Sequence, residues 1–274
     1  MKNHWLIPDW PAPHNVRAGF TTRLGGVSAA PYDNLNLGDH VGDSPLQVAA
    51  NRALLQQATG CRTVFLNQVH GSEVLAIDTS TPDGMQADAA VTMQRQLACT
   101  IMVADCLPVL LTTEKGDVVA AAHAGWRGLA GEGGKGGKSN GGVLESVYES
   151  LSALAHTQQA RSAIKTIAWL GPCIGPSVFQ VGAEVKAAFE AIQPEATRWF
   201  VADGSGKYFA NLQALARDRL QALGITQIYG NDGTASWCTA SNPSKFFSHR
   251  RDASISGGNG FGTTGRMAAC IWLE

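Results

Sequence analysis

Residues 89–122 read AAVTMQRQLACTIMVADCLPVLLTTEKGDVVAAA. Four apolar runs stand in this stretch, at Ala89–Thr92, Cys99–Ala104, Val109–Thr112 and Val118–Ala122. Each is short, and charged residues, Pro or Gly separate them, so each reads as a strand rather than a buried helix. Similar runs lie upstream at Val64–Leu66 and Val74–Ile77, and downstream at Thr166–Leu170, Ile225–Tyr229 and Met267–Leu273. Helical periodicity marks Gln47–Ala58, Val143–His156, Ala183–Ile192 and Leu212–Leu223. In the second of these, Val143, Leu144, Val147, Leu151 and Leu154 share one face. Gly224 follows Leu223 as a helix stop. A succession of strands before Val143–His156 argues against a regular βαβ winding. It favours a mixed-sheet α/β fold with an α+β-like sandwich arrangement.

No repeat and no linker divides the chain, so residues 1–274 read as a single domain with Gly-rich insertions at about 131–142 and 253–264. The first insertion contains Gly-Lys-Ser, but the preceding AGWRGLAGE is not a strand, so a surface loop is favoured over a phosphate loop. Lys and Arg number 21 against 22 Asp and Glu, a net charge of −1 that speaks against a broad nucleic-acid or acidic-membrane surface. No run reaches the roughly 18 apolar residues of a membrane span. The opening MKNHWLIPDWPAPH has no apolar signal core. Six cysteines at irregular spacings, with no CxxC, read as free thiols in a reducing, cytoplasmic compartment.

Reactive side chains concentrate in three segments: Asn67-Gln68-Val69-His70-Gly71, Ala104-Asp105-Cys106-Leu107-Pro108 and His123-Ala124-Gly125-Trp126-Arg127-Gly128. Each lies at a strand end, where sites assemble. His70, Cys106 and His123 form a His₂Cys set that suits Zn²⁺ with one open position, and also suits copper. Their separations of 36 and 17 residues match no compact zinc motif. The same residues read alternatively as a Cys106 nucleophile with His123 as base, or as ordinary core and surface residues. Cys61, Cys99 and Cys270 read as packing. Arg23 and Arg127 are candidates for an anion or for structural pairing. Gly171, in Gly171-Pro172-Cys173-Ile174-Gly175-Pro176, reads as a close backbone approach to a ligand or as a tight turn. Ser248–Asp252 faces either solvent or a phosphate.

Together NQVHG, ADCLPVLL, AAAHAGWRG, WLGPCIGP and the terminal TGRMAA-IWL closely resemble the YfiH-type proteins, with TTRLGGVS, PYDNLNLGDHVGD and FFSHRRD in support. That family is also called DUF152, laccase-domain or "polyphenol oxidase" proteins, and peptidoglycan editing factor. The resemblance runs from about Pro8 to Leu273. It implies a fold related to the cytotoxic-necrotising-factor Cys–His catalytic domain, with metal ligands His70, Cys106 and His123. It implies phosphorolysis of adenosine, inosine, guanosine and methylthioadenosine, and adenosine deamination. Purine nucleoside and phosphate are then the partners, and a monomer is favoured.

Within that reading Cys106, His123 and Asp105 are catalytic candidates, Asp105 as proton shuttle or ligand orienter. Arg23, Gln68, Trp126, Arg127 and Gly171 are candidates for substrate or phosphate binding, Trp126 by stacking on the base. Cys173 and Cys238 are expected near the site. The chain departs from the family at Gln180, where Glu is common, and at His249, where a relative has Tyr; any role of those side chains is put in doubt.

Three competing readings remain. One is a Cys–His hydrolase acting on muropeptide-like amides. Another is a copper-dependent phenol oxidase, weakened because the seven histidines at 4, 14, 40, 70, 123, 156 and 249 form no His-x-His pair. The last is a structural zinc module, weakened because structural sites usually have four protein ligands.

Overall fold

The computed structural model describes residues 4–132, 141–156, 164–255 and 263–274, without side chains for 253–255. Most of the insertions expected at 131–142 and 253–264 lies outside the described residues. In chain order the elements are β1 (Val16–Phe20), α1 (Pro45–Thr59), β2 (Arg62–Phe65), β3 (Val74–Ala76), β4 (Ala89–Thr92), β5 (Leu97–Val103), β6 (Leu107–Thr113) and β7 (Val119–Ala124). Then follow α2 (Trp126–Ala130), α3 (Val143–His156), β8 (Thr166–Leu170), β9 (Gln180–Val181), α4 (Ala183–Glu190), β10 (Phe200–Ala202) and β11 (Tyr208–Ala210). The last are α5 (Leu212–Ala222), β12 (Gln227–Gly230), α6 (His249–Ile255) and β13 (Met267–Leu273).

Three sheets result, ordered β12-β8-β6-β7-β4-β3, β1-β13-β5-β2 and β10-β11-β9. Both larger sheets mix parallel and antiparallel neighbours, as the strand succession implied. They pack face to face. Leu110, Val119, Ala121 and Trp169 of one meet Cys99, Ile101, Met267 and Ile271 of the other in one apolar layer. The outer face of the six-stranded sheet, including Val109, Leu111, Ala120 and Ala122, carries the buried face of α3. The outer face of the four-stranded sheet is covered by Leu55 of α1 with Leu35 and Leu37. Strands covered on both faces are buried at every position, which is why β5, β6 and β7 appear as nearly continuous apolar runs rather than alternations.

The anticipated helices form close to their expected limits. Helix α3 buries Val143, Leu144, Val147 and Leu151 as its periodicity implied, each such side chain contributing about 1.5–3 kcal/mol. Gly224 follows α5 with a left-handed φ of 81°. Strand β1 has no counterpart among the apolar runs of the sequence. Its sequence, VRAGF, has weak strand character, and its order comes from antiparallel pairing with β13. The strands of the three-stranded sheet are only two or three residues long, too short for a periodicity to show in the sequence.

Candidate metal centre and its cavity

Strand pairing brings the three reactive segments together. In the β6–β7 hairpin Pro108 lies opposite His123 and Leu107 opposite Ala124, so Cys106, one residue before β6, arrives beside His123. The β4–β7 pairing sets Ala89 opposite Ala122, which places Asp88 next to His123. His70 reaches the same point from the connection between β2 and β3. The donor atoms of His70, Cys106 and His123 all lie within 4.8 Å of one another, the one such group among the described residues. Cys106 Sγ is 3.6 Å from His70 Nε2. The two imidazoles meet edge-on with centroids 4.7 Å apart. A Cβ on Gly125 would stand 2.7 Å from His70 Cδ2 and 3.2 Å from Cys106 Sγ, so only glycine lets the chain leave β7 past this centre.

A buried carboxylate organises both histidines. Asp88 is fully buried. Its Oδ1 accepts from His123 Nδ1 at 2.8 Å and from the His70 amide at 2.9 Å. Its Oδ2 accepts from the amides of Gly71 at 2.7 Å and Val69 at 3.1 Å. These bonds hold His70 at a left-handed φ of 60°, a conformation that a non-glycine residue keeps only when its surroundings insist. With Nδ1 donating to Asp88, Nε2 is the nitrogen turned toward Cys106 and left for a metal, the arrangement metal-binding histidines use.

Asp105, with φ of 92°, is held in the same manner. Its carboxylate accepts from Thr239 Oγ1 at 2.6 Å and the Arg250 amide at 2.7 Å, and its carbonyl accepts from the Ile174 amide at 2.9 Å. Gln68 pairs with the Met102 backbone through both amide atoms, each at 2.8 Å, and so ties the His70 segment to β5.

Electrostatics favour a thiolate facing imidazolium in the metal-free protein. Burial opposes ionisation of Cys106, but the His123 charge and hydrogen bonds from both imidazoles pull the thiol down to about 6. Burial likewise opposes protonation of His123, which the Cys106 thiolate and Asp88 raise to about 9. Two imidazoles and one thiolate, converging with a carboxylate behind His123, fit a catalytic zinc ion in donor type and number.

The centre opens on a cavity of about 300 Å³. Gln68, Asp105, Trp126 and Arg127 line it, as do His40, Phe179, His249, Arg250 and Arg266. Two sequence candidates lie elsewhere. Arg23 donates to Asp33 and to the Pro243 carbonyl and stacks on Phe247. Gly171 is packed against Pro108 and Trp169 and accepts from Asn231. Cys173 and Cys238 pair in an isolated bridge one residue from cavity-lining Ile174, but neither lines the cavity. All six cysteines are free, as expected. Of the departures from the family pattern, Gln180 bonds Asp203 away from the cavity, whereas His249 stands at its wall. The sequence pattern does not single out Asp88 or Arg266. A charged residue just before a strand is unexceptional, and the Arg of the terminal TGR motif carried the available signal for the second.

The family model described as multi-copper polyphenol oxidoreductase laccase matches residues 17–274. The chain belongs to this YfiH-type family. A Pseudomonas aeruginosa YfiH-type protein named purine nucleoside phosphorylase is 44% identical over 273 residues, covering 99% of each chain. The Escherichia coli K12 protein named purine nucleoside phosphorylase YfiH is 43% identical, covering 98% of each. A solved Neisseria meningitidis structure of the DUF152 family superposes with a TM-score of 0.84 at 42% identity, covering 99% of both chains. The mixed α/β architecture is therefore that of solved YfiH-type structures. No helix among the described residues is long and apolar enough to cross a membrane.

Proposed function

We propose that this YfiH-type protein is a zinc-dependent purine nucleoside phosphorylase acting in the cytoplasm on adenosine, inosine, guanosine and methylthioadenosine, with adenosine deamination as a second activity. One observation carries the reading. The His70–Cys106–His123 centre shares its cavity with aromatic faces and guanidinium groups, the surfaces that a purine and a phosphate require. The names of the Pseudomonas and Escherichia coli relatives support it.

In phosphorolysis a phosphate oxygen bonds to ribose C1′ while the C1′–N9 bond breaks and its electron pair leaves with the purine. Trp126 and Phe179 offer faces for the base, and an arginine of the cavity wall holds the phosphate. Asp88 keeps His123 in one tautomer and orientation. Asp105 acts as an orienter, since both its oxygens are occupied by donors. When bound, zinc supplies Lewis-acid stabilisation and the water activation that deamination needs. A single His₂Cys centre favours zinc over the several coppers a laccase uses. The test is inosine phosphorolysis with metal analysis of His123→Ala. Loss of zinc and turnover together supports the assignment, and wild-type turnover in metal-free variant overturns it.

The lowered Cys106 thiol beside His123 favours one second reading, a Cys–His hydrolase of muropeptide-like amides with kinship to the cytotoxic-necrotising-factor fold. Amidase activity that survives alkylation of Cys106 in metal-free protein excludes it.

A further inference from the structure

We infer that Arg266, together with His40 and His249 at the cavity wall, forms the oxyanion subsite that receives phosphate; this deepens and rests on the phosphorolysis reading. Three observations carry it. The first is how the side chain is seated. A Cβ on Gly38 would stand 2.7 Å from Arg266 Cγ, so the arginine stem passes where a larger residue would block it. Fully buried Asn36 fixes both partners: its Oδ1 accepts from the Arg266 amide at 2.8 Å and from the Gly38 amide at 2.9 Å.

The second is an unspent charge. Arg266 Nη1 donates to the carbonyls of Thr264 at 2.9 Å and Gly265 at 3.3 Å, which orients the guanidinium. Among the described residues no carboxylate pairs with it. The negative groups it faces, Cys106 and Asp105, raise its proton affinity against the effect of burial without bonding to it. A partly buried guanidinium with no carboxylate bonded to it keeps N–H donors for an arriving oxyanion, which would gain charge-assisted hydrogen bonds there.

The third is the contrast with the other arginines. Arg23 is spent on Asp33 and Pro243. Arg250 donates to the Gln180 carbonyl and stands beside Phe179. Arg127 is exposed and lies over the Trp126 ring, 4.4 Å from its centroid, in position to serve the base. Arg127 and Arg250 are exposed and Arg266 is not, so water screens their charges more than that of Arg266. His40 and His249 line the same cavity as Arg266; partial burial, followed by the Arg266 charge, holds both below the usual histidine range, against Asp39 at His40 and Asp105 at His249.

The test uses the zinc-loaded full chain and inorganic phosphate as probe. Calorimetric phosphate binding and initial rates with inosine at varied phosphate are compared among wild type, Arg266→Gln, Arg266→Lys and Arg127→Ala. In Arg266→Gln the KM for phosphate and its Kd rise about tenfold or more, while the KM for inosine stays within about twofold. Arg266→Lys, which keeps the stem and charge but loses the fork, weakens phosphate less and serves if the Gln variant fails to fold. Unchanged phosphate KM and Kd in both Arg266 variants, or an equal loss in Arg127→Ala, overturns the assignment. If wild type shows no phosphorolysis yet binds phosphate through Arg266, the phosphorolysis reading fails and the oxyanion subsite stands.

Discussion

Cys99 and Cys106 lie on either side of the end of β5, seven positions apart, and both adjoin the layer between the two large sheets. Their chemistry is opposite. Cys99 is wholly buried among aliphatic side chains, and burial pushes its thiol well above the ordinary range. Cys270, across the ladder on β13, is raised by burial to about 12. Cys106 is only half-buried and is drawn down to about 6 in spite of burial, because two imidazoles face it. Desolvation alone makes a thiol inert, whereas the same desolvation with cationic partners yields a metal ligand or a nucleophile. The partners in turn depend on Asp88, one carboxylate that holds the ring of His123 and the backbone of His70.

Removing the reactive sulfur is the strongest way to break this contrast. Cys106→Ala is expected to lower inosine phosphorolysis roughly 10³-fold, since metal catalysis is worth several kcal/mol; steady-state assay with zinc analysis checks it. Asp88→Asn leaves all three ligands present but frees the imidazoles. A loss of about 10–100-fold in zinc affinity is expected, read by chelator competition. An unchanged affinity would mean that packing alone aligns the ligands. Iodoacetamide sharpens the comparison in the metal-free folded protein. Mass spectrometry should find Cys106 modified at neutral pH while Cys99 and Cys270 remain intact. The smallest effect is expected at the inert end. Cys99→Ala should cost about 1–2 kcal/mol of stability in denaturant melts, through lost packing, with turnover unchanged.

Much of this architecture was legible locally. Runs such as LPVLLTT and LACTIMV cannot be other than buried strands once their length and flanks are considered, and α3 shows its apolar face in its spacing. Legibility failed where order is borrowed. VRAGF becomes a strand because β13 offers its ladder, and residues 200–202 and 208–210 are too short to carry a periodicity. At the site, His70, Cys106 and His123 were recognisable by donor chemistry at strand ends. Arg23 was misleading, since its Asp33 and Phe247 partners are unrelated to the cavity.

By itself the sequence determined the strand-rich mixed character, the free cysteines and the three residues whose chemistry suits a metal. Those properties depend on side-chain type and on neighbours within a few positions. Tertiary structure alone decided that 36 and 17 residues of separation close to within 4.8 Å, because ladder register is a pairing between distant strands. It also decided that Asp88 serves both histidines, and that Arg266 rather than Arg23 lines the cavity. Burial and hydrogen-bond satisfaction are set by everything packed around a group, and the linear chain does not display them.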